Sequence, residues 1–144
     1  MGADQEAIVV AFMDAWGDGT QAEPDVDTIL SMFTEDAEWQ LWVPGGPTLR
    51  GREAIKADIE RQLGFATHMR CGPRSIASSD RQVCTERLDR FTSKGVQVDH
   101  HLVAVFDISD DGRIAGWREY FDPEDVTRQL RAARDVAPAP KSSS

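Results

Sequence analysis

The chain has 144 residues, of which 40% are hydrophobic and 28% charged, a composition typical of one folded domain. Its formal net charge of −9 repels phosphate backbones, so nucleic acid is not an expected partner. No apolar run approaches the roughly 20 residues of a membrane helix and no signal segment opens the chain, so we expect no membrane partner and a cytoplasmic location. Two cysteines and three histidines supply few ligands, so we expect no metal, no cofactor and no disulfide.

The first half of the chain has helical periodicity, interrupted by one strand. Residues 4–18 predict a helix, and a second, short helix begins near Pro24 and extends to Phe33. Residues 37–43 alternate and predict a strand that ends at a Pro- and Gly-rich loop. Residues 51–65 predict a third helix, because Ile55, Ile59 and Leu63 recur every four residues.

The second half is typical of a β-meander. Strands are predicted at 68–77, 82–91, 96–108 and 113–121, and the turn sequences between them favour antiparallel hairpins. A last helix is predicted over 124–134. The Pro- and Ser-rich tail, 137–144, is expected to be disordered. The sequence therefore predicts an α+β fold for a single domain over residues 1–136.

Alternation in two of these strands places charged side chains on the same strand face as apolar side chains. Glu119 shares a strand face with Trp117 and Phe121, and a carboxyl desolvated by aromatic rings suits general acid–base catalysis. Arg87 and Asp89 share a face of another strand and are candidates to lie beside Glu119. The alternative interpretation is a cross-strand ion pair on a solvated face, which the pattern alone leaves open.

Other residues carry weaker signals. Trp39 and Leu41 are predicted to share a strand face and to line a core or a pocket wall. His100 and His101 point to opposite faces of a strand, so at most one of them enters a pocket. The sequence contains no glycine-rich phosphate loop and no Gly-x-Ser-x-Gly motif, so nucleophilic catalysis by serine is unsupported.

The segments Thr85-Glu-Arg-Leu-Asp89 and Gly116-Trp-Arg-Glu-Tyr-Phe-Asp122 resemble the limonene-1,2-epoxide hydrolase family, within the SnoaL-like, NTF2-like superfamily. Further similarity covers most of residues 6–125, in the same order. Its motifs are Val10-Ala-Phe-Met-Asp-Ala15, Phe33-Thr-Glu-Asp36 and Gly51-Arg-Glu-Ala-Ile55. The resemblance implies an NTF2-like cone, with N-terminal helices packed on a curved, mostly antiparallel sheet around one deep pocket, and a homodimer.

The resemblance also implies a reaction, the opening of an epoxide by water in one step. By position, Asp89 looks like the general acid and Glu119 like the general base. Arg87 looks like the arginine that lies between the two carboxyls and holds both in place. Trp39, Leu41, His100, Trp117 and Phe121 would bind a hydrophobic epoxide substrate. This chain departs from the family, which has aspartate at the position of Glu119 and a water-holding tyrosine and asparagine at those of Trp39 and Leu41.

These departures leave other functions open. If a hydroxyl of the substrate is the nucleophile, the reaction needs a base but no residues that hold a water molecule. The related epoxide-opening cyclases of polyether and pyran biosynthesis look like this. The fold also hosts non-catalytic binding modules, and other acid–base chemistry such as isomerisation next to a carbonyl is a further possibility.

Overall fold

A computed structural model describes residues 2–136, which form four helices and seven strands. The predicted tail at 137–144 lies outside the described residues. The helices are α1 (Ala3–Ala15), α2 (Val26–Ser31), α3 (Arg52–Leu63) and α4 (Pro123–Val136). The strands are β1 (Phe33–Gln40), β2 (Thr48–Arg50), β3 (Thr67–Arg70), β4 (Pro73–Ser78), β5 (Gln82–Ser93), β6 (Val96–Ile108) and β7 (Ile114–Tyr120).

The strands form one sheet in the order β2-β1-β7-β6-β5-β3, and β4 also pairs with β5. The pairing is antiparallel except between β1 and β7, which run parallel. Lys94 and Gly95 both have positive φ, 52° and 80°, and they join β5 to β6. Two such residues make the hairpin turn whose twist matches that of the strands. The α+β prediction with a mostly antiparallel, curved sheet is confirmed.

The core lies between the helices and the inner face of the sheet. Phe12 of α1 meets four aromatic rings edge-on, those of Trp16, Phe33, Phe106 and Trp117, at centroid distances of 6.1, 5.4, 5.6 and 5.1 Å. Edge-to-face contacts of this kind stabilise a core beyond the apolar area that they bury.

None of the helices within residues 2–136 is long and apolar enough to cross a membrane.

The structure corrects three predicted elements. Phe33 opens β1 and does not close a helix, because α2 ends at Ser31 and the backbone turns there into the sheet. The strand predicted at 37–43 ends at Gln40, so Leu41 lies in the following turn, where its N–H donates to the carbonyl of Pro47. The strand predicted at 68–77 is divided at Cys71 and Gly72 into β3 and β4.

Candidate active site

A cavity of about 190 Å³ opens between the inner face of the sheet, α3 and α4. Its wall is largely aromatic, with Trp16, Trp39, Trp42, Phe65, Trp117 and Phe121 among the residues that line it. Apolar pockets with a few convergent polar groups are the usual form of a small-molecule site. Here the polar groups include side chains of β5, β6 and β7.

Three charged side chains meet on the cavity wall. Arg87 donates from Nε and Nη2 to the two carboxylate oxygens of Asp89, at 3.1 and 2.8 Å. The same Nη2 lies 3.4 Å from Oε2 of Glu119, and Nη1 lies 3.4 Å from the hydroxyl oxygen of Thr85. The side chains of Arg87, Asp89 and Glu119 are 2%, 14% and 9% exposed, so the cluster is buried. The alternative of a solvated surface ion pair is therefore wrong.

Strand register explains why residues 32 positions apart in the chain meet. Thr85 and Glu119 both pair with Ala104 of β6, which lies between β5 and β7. Ala104 is fully buried, and its side chain ends at Cβ. Because nothing larger projects from β6 at this point, the guanidinium of Arg87 can reach across the strand to Glu119.

Glu119 is buried beside a pair of stacked indoles. Trp39 and Trp117 are register partners on β1 and β7, and their rings stack at 4.0 Å with an interplanar angle of 6°. Burial raises the pKa of Glu119 to about 8. Arg87 and the indole N–H of Trp39 oppose this shift in the pKa, while the negative charges of Asp89 and Asp58 add to it. The Trp39 N–H nevertheless makes no hydrogen bond of normal geometry within residues 2–136.

His100 lies on the Asp89 side of the cavity. The two residues are register partners across β5 and β6, and the imidazole packs edge-on against Phe121 at 4.3 Å. Burial lowers the pKa of His100 to about 4, so the ring is neutral at pH 7. Its Nε2 is buried and has no partner in the described part of the chain. His101 is exposed on the other face of β6, as the alternation predicts.

All eight residues singled out from the sequence line this cavity: Trp39, Leu41, Arg87, Asp89, His100, Trp117, Glu119 and Phe121. Leu41 does so from the turn after β1, so the prediction that it shares a strand face with Trp39 is wrong. Sequence reasoning missed the polar residues contributed by the β3–β4 junction and α3.

Among residues 2–136 no three His, Cys, Asp or Glu side chains are grouped as metal ligands.

At the β3–β4 junction, Gly72 donates its N–H to Oδ1 of Asp89 at 3.2 Å. Cys71 lines the cavity with a free thiol, and burial together with the charge of Asp89 raises the pKa of this thiol. The signal in the sequence was the glycine itself, since glycine inside a strand pattern often marks a close approach of two backbones.

On α3, Asp58 is 8% exposed and accepts from Nε of Arg61 and Nε2 of Gln62, both at 2.9 Å. Arg61 and Gln62 line the cavity. The signal here was an aspartate between Ile55 and Ile59 on the apolar stripe of the predicted helix, where a solvated carboxylate is not expected.

The chain belongs to the SnoaL-like domain family, whose model matches residues 9–117. It has an NTF2-like fold. It is 28% identical over 109 residues to the epoxide hydrolase EphG of Mycobacterium tuberculosis, covering 74% of this chain and 68% of that protein. A solved M. tuberculosis LEH-like epoxide hydrolase superposes with a TM-score of 0.73 at 26% identity, covering 92% of this chain and 93% of the other.

Two more distant structures share the fold. The epoxide hydrolase/cyclase-like enzyme SalBIII, described in pyran ring formation in the polyether salinomycin, has a TM-score of 0.73 at 22% identity, over 87% of this chain and 97% of its own. A protein with a ketosteroid isomerase-like fold from Catenulispora acidiphila has a TM-score of 0.72 at 19% identity, over 91% of this chain and 97% of its own. At such identities these two similarities concern the fold alone.

Proposed function

We propose that this protein is an epoxide hydrolase of the limonene-1,2-epoxide hydrolase type, which opens a hydrophobic epoxide with water to a vicinal diol. The observation that carries the proposal is the buried cluster in which Arg87 contacts both Asp89 and Glu119 on the wall of an apolar cavity. The similarity of the chain to epoxide hydrolases supports it.

The chemistry needs one neutral and one ionised carboxyl. The ionised group takes a proton from water as the water oxygen attacks an epoxide carbon. The neutral group gives a proton to the epoxide oxygen as the carbon–oxygen bond breaks. Two carboxyls around one guanidinium suit this task, because Arg87 balances one negative charge and the second carboxyl is disfavoured as an anion by burial. No covalent intermediate with the protein is needed.

The remaining elements of the proposal concern substrate and assembly. The aromatic wall favours a hydrophobic small molecule, with Trp39, Leu41, His100, Trp117 and Phe121 as its contacts. We also propose that the protein is cytoplasmic and that it forms a homodimer. Size-exclusion chromatography with light scattering would test the homodimer. Val103 and Tyr120 support the homodimer, since they are neighbours on the outer face of the sheet and are 36% and 42% exposed.

A second candidate function is an epoxide-opening cyclase, in which a hydroxyl of the substrate replaces water. The observation that favours it is the apolar wall beside Glu119, where Trp39 and Leu41 offer a single N–H donor and no acceptor. Such a wall would fold a substrate and exclude water. A non-catalytic binding module, by contrast, has no need of a buried Asp89–Arg87–Glu119 cluster.

Incubation with epoxides in ¹⁸O-labelled water, followed by mass spectrometry, tests these functions. The panel contains limonene oxide, cyclohexene oxide, styrene oxide and a hydroxy-epoxide, and the control is the Asp89→Asn/Glu119→Gln double variant. A diol with one heavy oxygen, absent from the control, is the expected result. An unlabelled cyclic ether from the hydroxy-epoxide would identify a cyclase. Absence of any product would contradict both enzymatic functions and favour a binding module.

A further inference from the structure

His100 contributes an imidazole to the cavity wall, and its Nε2 is buried without a hydrogen-bond partner among residues 2–136. The alternation of β6 puts this side chain on the inner face of the sheet, together with the buried Leu102 and Ala104. Phe121 packs edge-on against the ring at 4.3 Å. A buried polar atom without a partner costs free energy, so such an atom in the wall of a pocket points to a ligand that supplies the bond.

The charged groups nearest to His100 are already bonded elsewhere. Asp89, its register partner on β5, accepts three N–H groups, two from Arg87 and one from the backbone of Gly72. Asp125 of α4, whose charge also acts on the imidazole, accepts from two side chains of its own helix. Within the described part of the chain no group is left to bond Nε2, so a bound molecule is the partner that fits it.

The neutral state of the ring narrows the chemistry of that molecule. Burial lowers the pKa of His100 to about 4, so at pH 7 one ring nitrogen carries a proton and the other a lone pair. A neutral imidazole does not attract an anion by charge. A hydroxyl both donates and accepts, so it satisfies Nε2 in either tautomer, whereas a carbonyl or ether oxygen satisfies it in only one.

We infer that the substrate of this site carries a hydroxyl group a few carbon atoms from its epoxide, and that His100 binds this hydroxyl as a specificity-determining residue. The inference rests on the proposed function, because it places the epoxide at the cluster of Arg87, Asp89 and Glu119. Paired residues on neighbouring antiparallel strands have Cβ atoms about 4.5–5.5 Å apart, so His100 lies beside Asp89 on the cavity wall. A hydroxyl at the imidazole and an epoxide at the cluster are therefore close enough to belong to one six-membered ring.

In this arrangement the hydroxyl is an anchor and not the nucleophile. Water opens the epoxide as proposed, and the product is a triol whose third hydroxyl was present in the substrate. Apolar walls distinguish weakly between small molecules of similar shape, whereas a buried polar group left unpaired by the wrong substrate distinguishes strongly. The bond to His100 thus fixes which end of the substrate meets the charged cluster.

Kinetics with two epoxy alcohols and their common deoxy analogue test the inference. One isomer of epoxycyclohexanol has its hydroxyl next to the epoxide, the other has it one carbon further away, and cyclohexene oxide has none. For at least one of the alcohols we expect a wild-type kcat/KM about fivefold or more above that for cyclohexene oxide.

Three variants show whether His100 causes this preference. His100→Leu should bring the ratio of the two kcat/KM values close to one, whatever its effect on each value. His100→Gln keeps a donor and an acceptor and should restore part of the ratio. His101→Leu, exposed on the opposite face of the same strand, is the matched control and should leave the ratio unchanged.

A preference that survives in His100→Leu would overturn the inference, as would a wild type that opens cyclohexene oxide and prefers neither alcohol. An unlabelled bicyclic ether formed in ¹⁸O-labelled water would also overturn it, because the hydroxyl would then be the nucleophile. A wild type that opens none of the three epoxides would instead count against the proposed function.

Binding without turnover tests the role of His100 independently of that function. The protein is labelled with ¹⁵N-histidine, and the ring resonances of His100 are identified by their loss in His100→Leu. Titration with cyclohexanol is expected to shift these resonances and to leave those of His101 in place. Ring resonances of His100 that do not move up to the solubility limit of cyclohexanol would overturn the inference even if epoxides are opened.

Discussion

Arg87 is the residue on which the stability of the buried cluster depends, since its guanidinium is the shared partner of Asp89 and Glu119. Replacing it by leucine leaves buried carboxyls without a counter-ion. We expect Arg87→Leu to lower the free energy of unfolding by about 3–5 kcal/mol, measured by urea denaturation at pH 7. The matched control is Arg90→Leu on the same strand, whose half-exposed pair with Asp99 is worth less than about 1 kcal/mol. Equal losses from the two variants would contradict this account.

The burial of Glu119 also gives the protein a pH-dependent stability. Its pKa is about 8 in the folded protein against an ordinary value of 4.5, so between these values the folded state holds a proton that the unfolded state has lost. This contribution to stability is complete below 4.5 and is lost as the pH rises through 8. Glu119→Gln carries no such proton. We expect its stability relative to wild type to increase with pH across this window, by up to about 1.4 kcal/mol per pH unit.

Urea denaturation of wild type and Glu119→Gln at pH 5, 6, 7 and 8 checks this expectation. The loss of the contact with Arg87 shifts every point by a similar amount, so the slope against pH carries the information. A difference in stability that stays constant from pH 5 to 8 would show that Glu119 is ionised in the folded protein throughout this range.

At the scale of elements, the junction between β3 and β4 connects the sheet to the site. Gly72 donates its N–H to Asp89, and its carbonyl accepts the N–H of Leu88 at 2.9 Å. A Cβ at this position would lie 2.3 Å from the carbonyl oxygen of Leu88, which is backbone and cannot rotate away. Gly72→Ala must therefore displace the junction from β5.

We expect Gly72→Ala to destabilise the protein by about 1–3 kcal/mol through overpacking and to lower epoxide turnover, because Asp89 loses a donor. Gly95→Ala is the matched control. Its Cβ would meet nothing within 4 Å, so the cost is that of a positive φ alone, about 1 kcal/mol. Urea denaturation and the ¹⁸O assay measure the two effects. Normal turnover in a folded Gly72→Ala protein would show that the junction does not position Asp89.

The elements that the sequence predicts best are those fixed by local chemistry. The turn at Lys94 and Gly95 and the length of β6 follow from residues that lie next to one another in the chain. The parallel pairing of β1 with β7 could not be predicted, because it joins strands separated by about half of the chain. The three-residue strand β2 is too short for alternation to be detected.

The candidate site was predictable to a similar extent. Alternation brought Arg87 and Asp89 onto one face and identified Glu119 as a carboxyl among aromatic residues. Their meeting depends on Ala104, a small residue on the intervening strand that carries no signal of its own. Which carboxyl receives the N–H of Gly72 depends on the break between β3 and β4, and periodicity within one predicted strand conceals that break.

For the whole molecule, the arrangement of the tryptophans allows the proposal of a single domain to be tested. All four tryptophans of the chain line the cavity, so their fluorescence reports on the site, whereas far-UV circular dichroism reports on every helix and strand. The cavity takes its wall from both ends of the chain, from Trp16 after α1 to Leu130 of α4. Disrupting any of these elements therefore opens the site.

We expect the two signals to give the same midpoint in urea and on heating, as for one cooperative unit. Gln129 strengthens this expectation at the far end of the chain, since its side chain bonds both the N–H and the carbonyl of Asp99 on β6. Gln129→Ala provides the internal comparison: it should lower both midpoints together. If part of the dichroism signal were lost before the fluorescence changed, and Gln129→Ala shifted only that early loss, the last helix would unfold independently. The cavity would then have a wall that can open while the sheet stays folded.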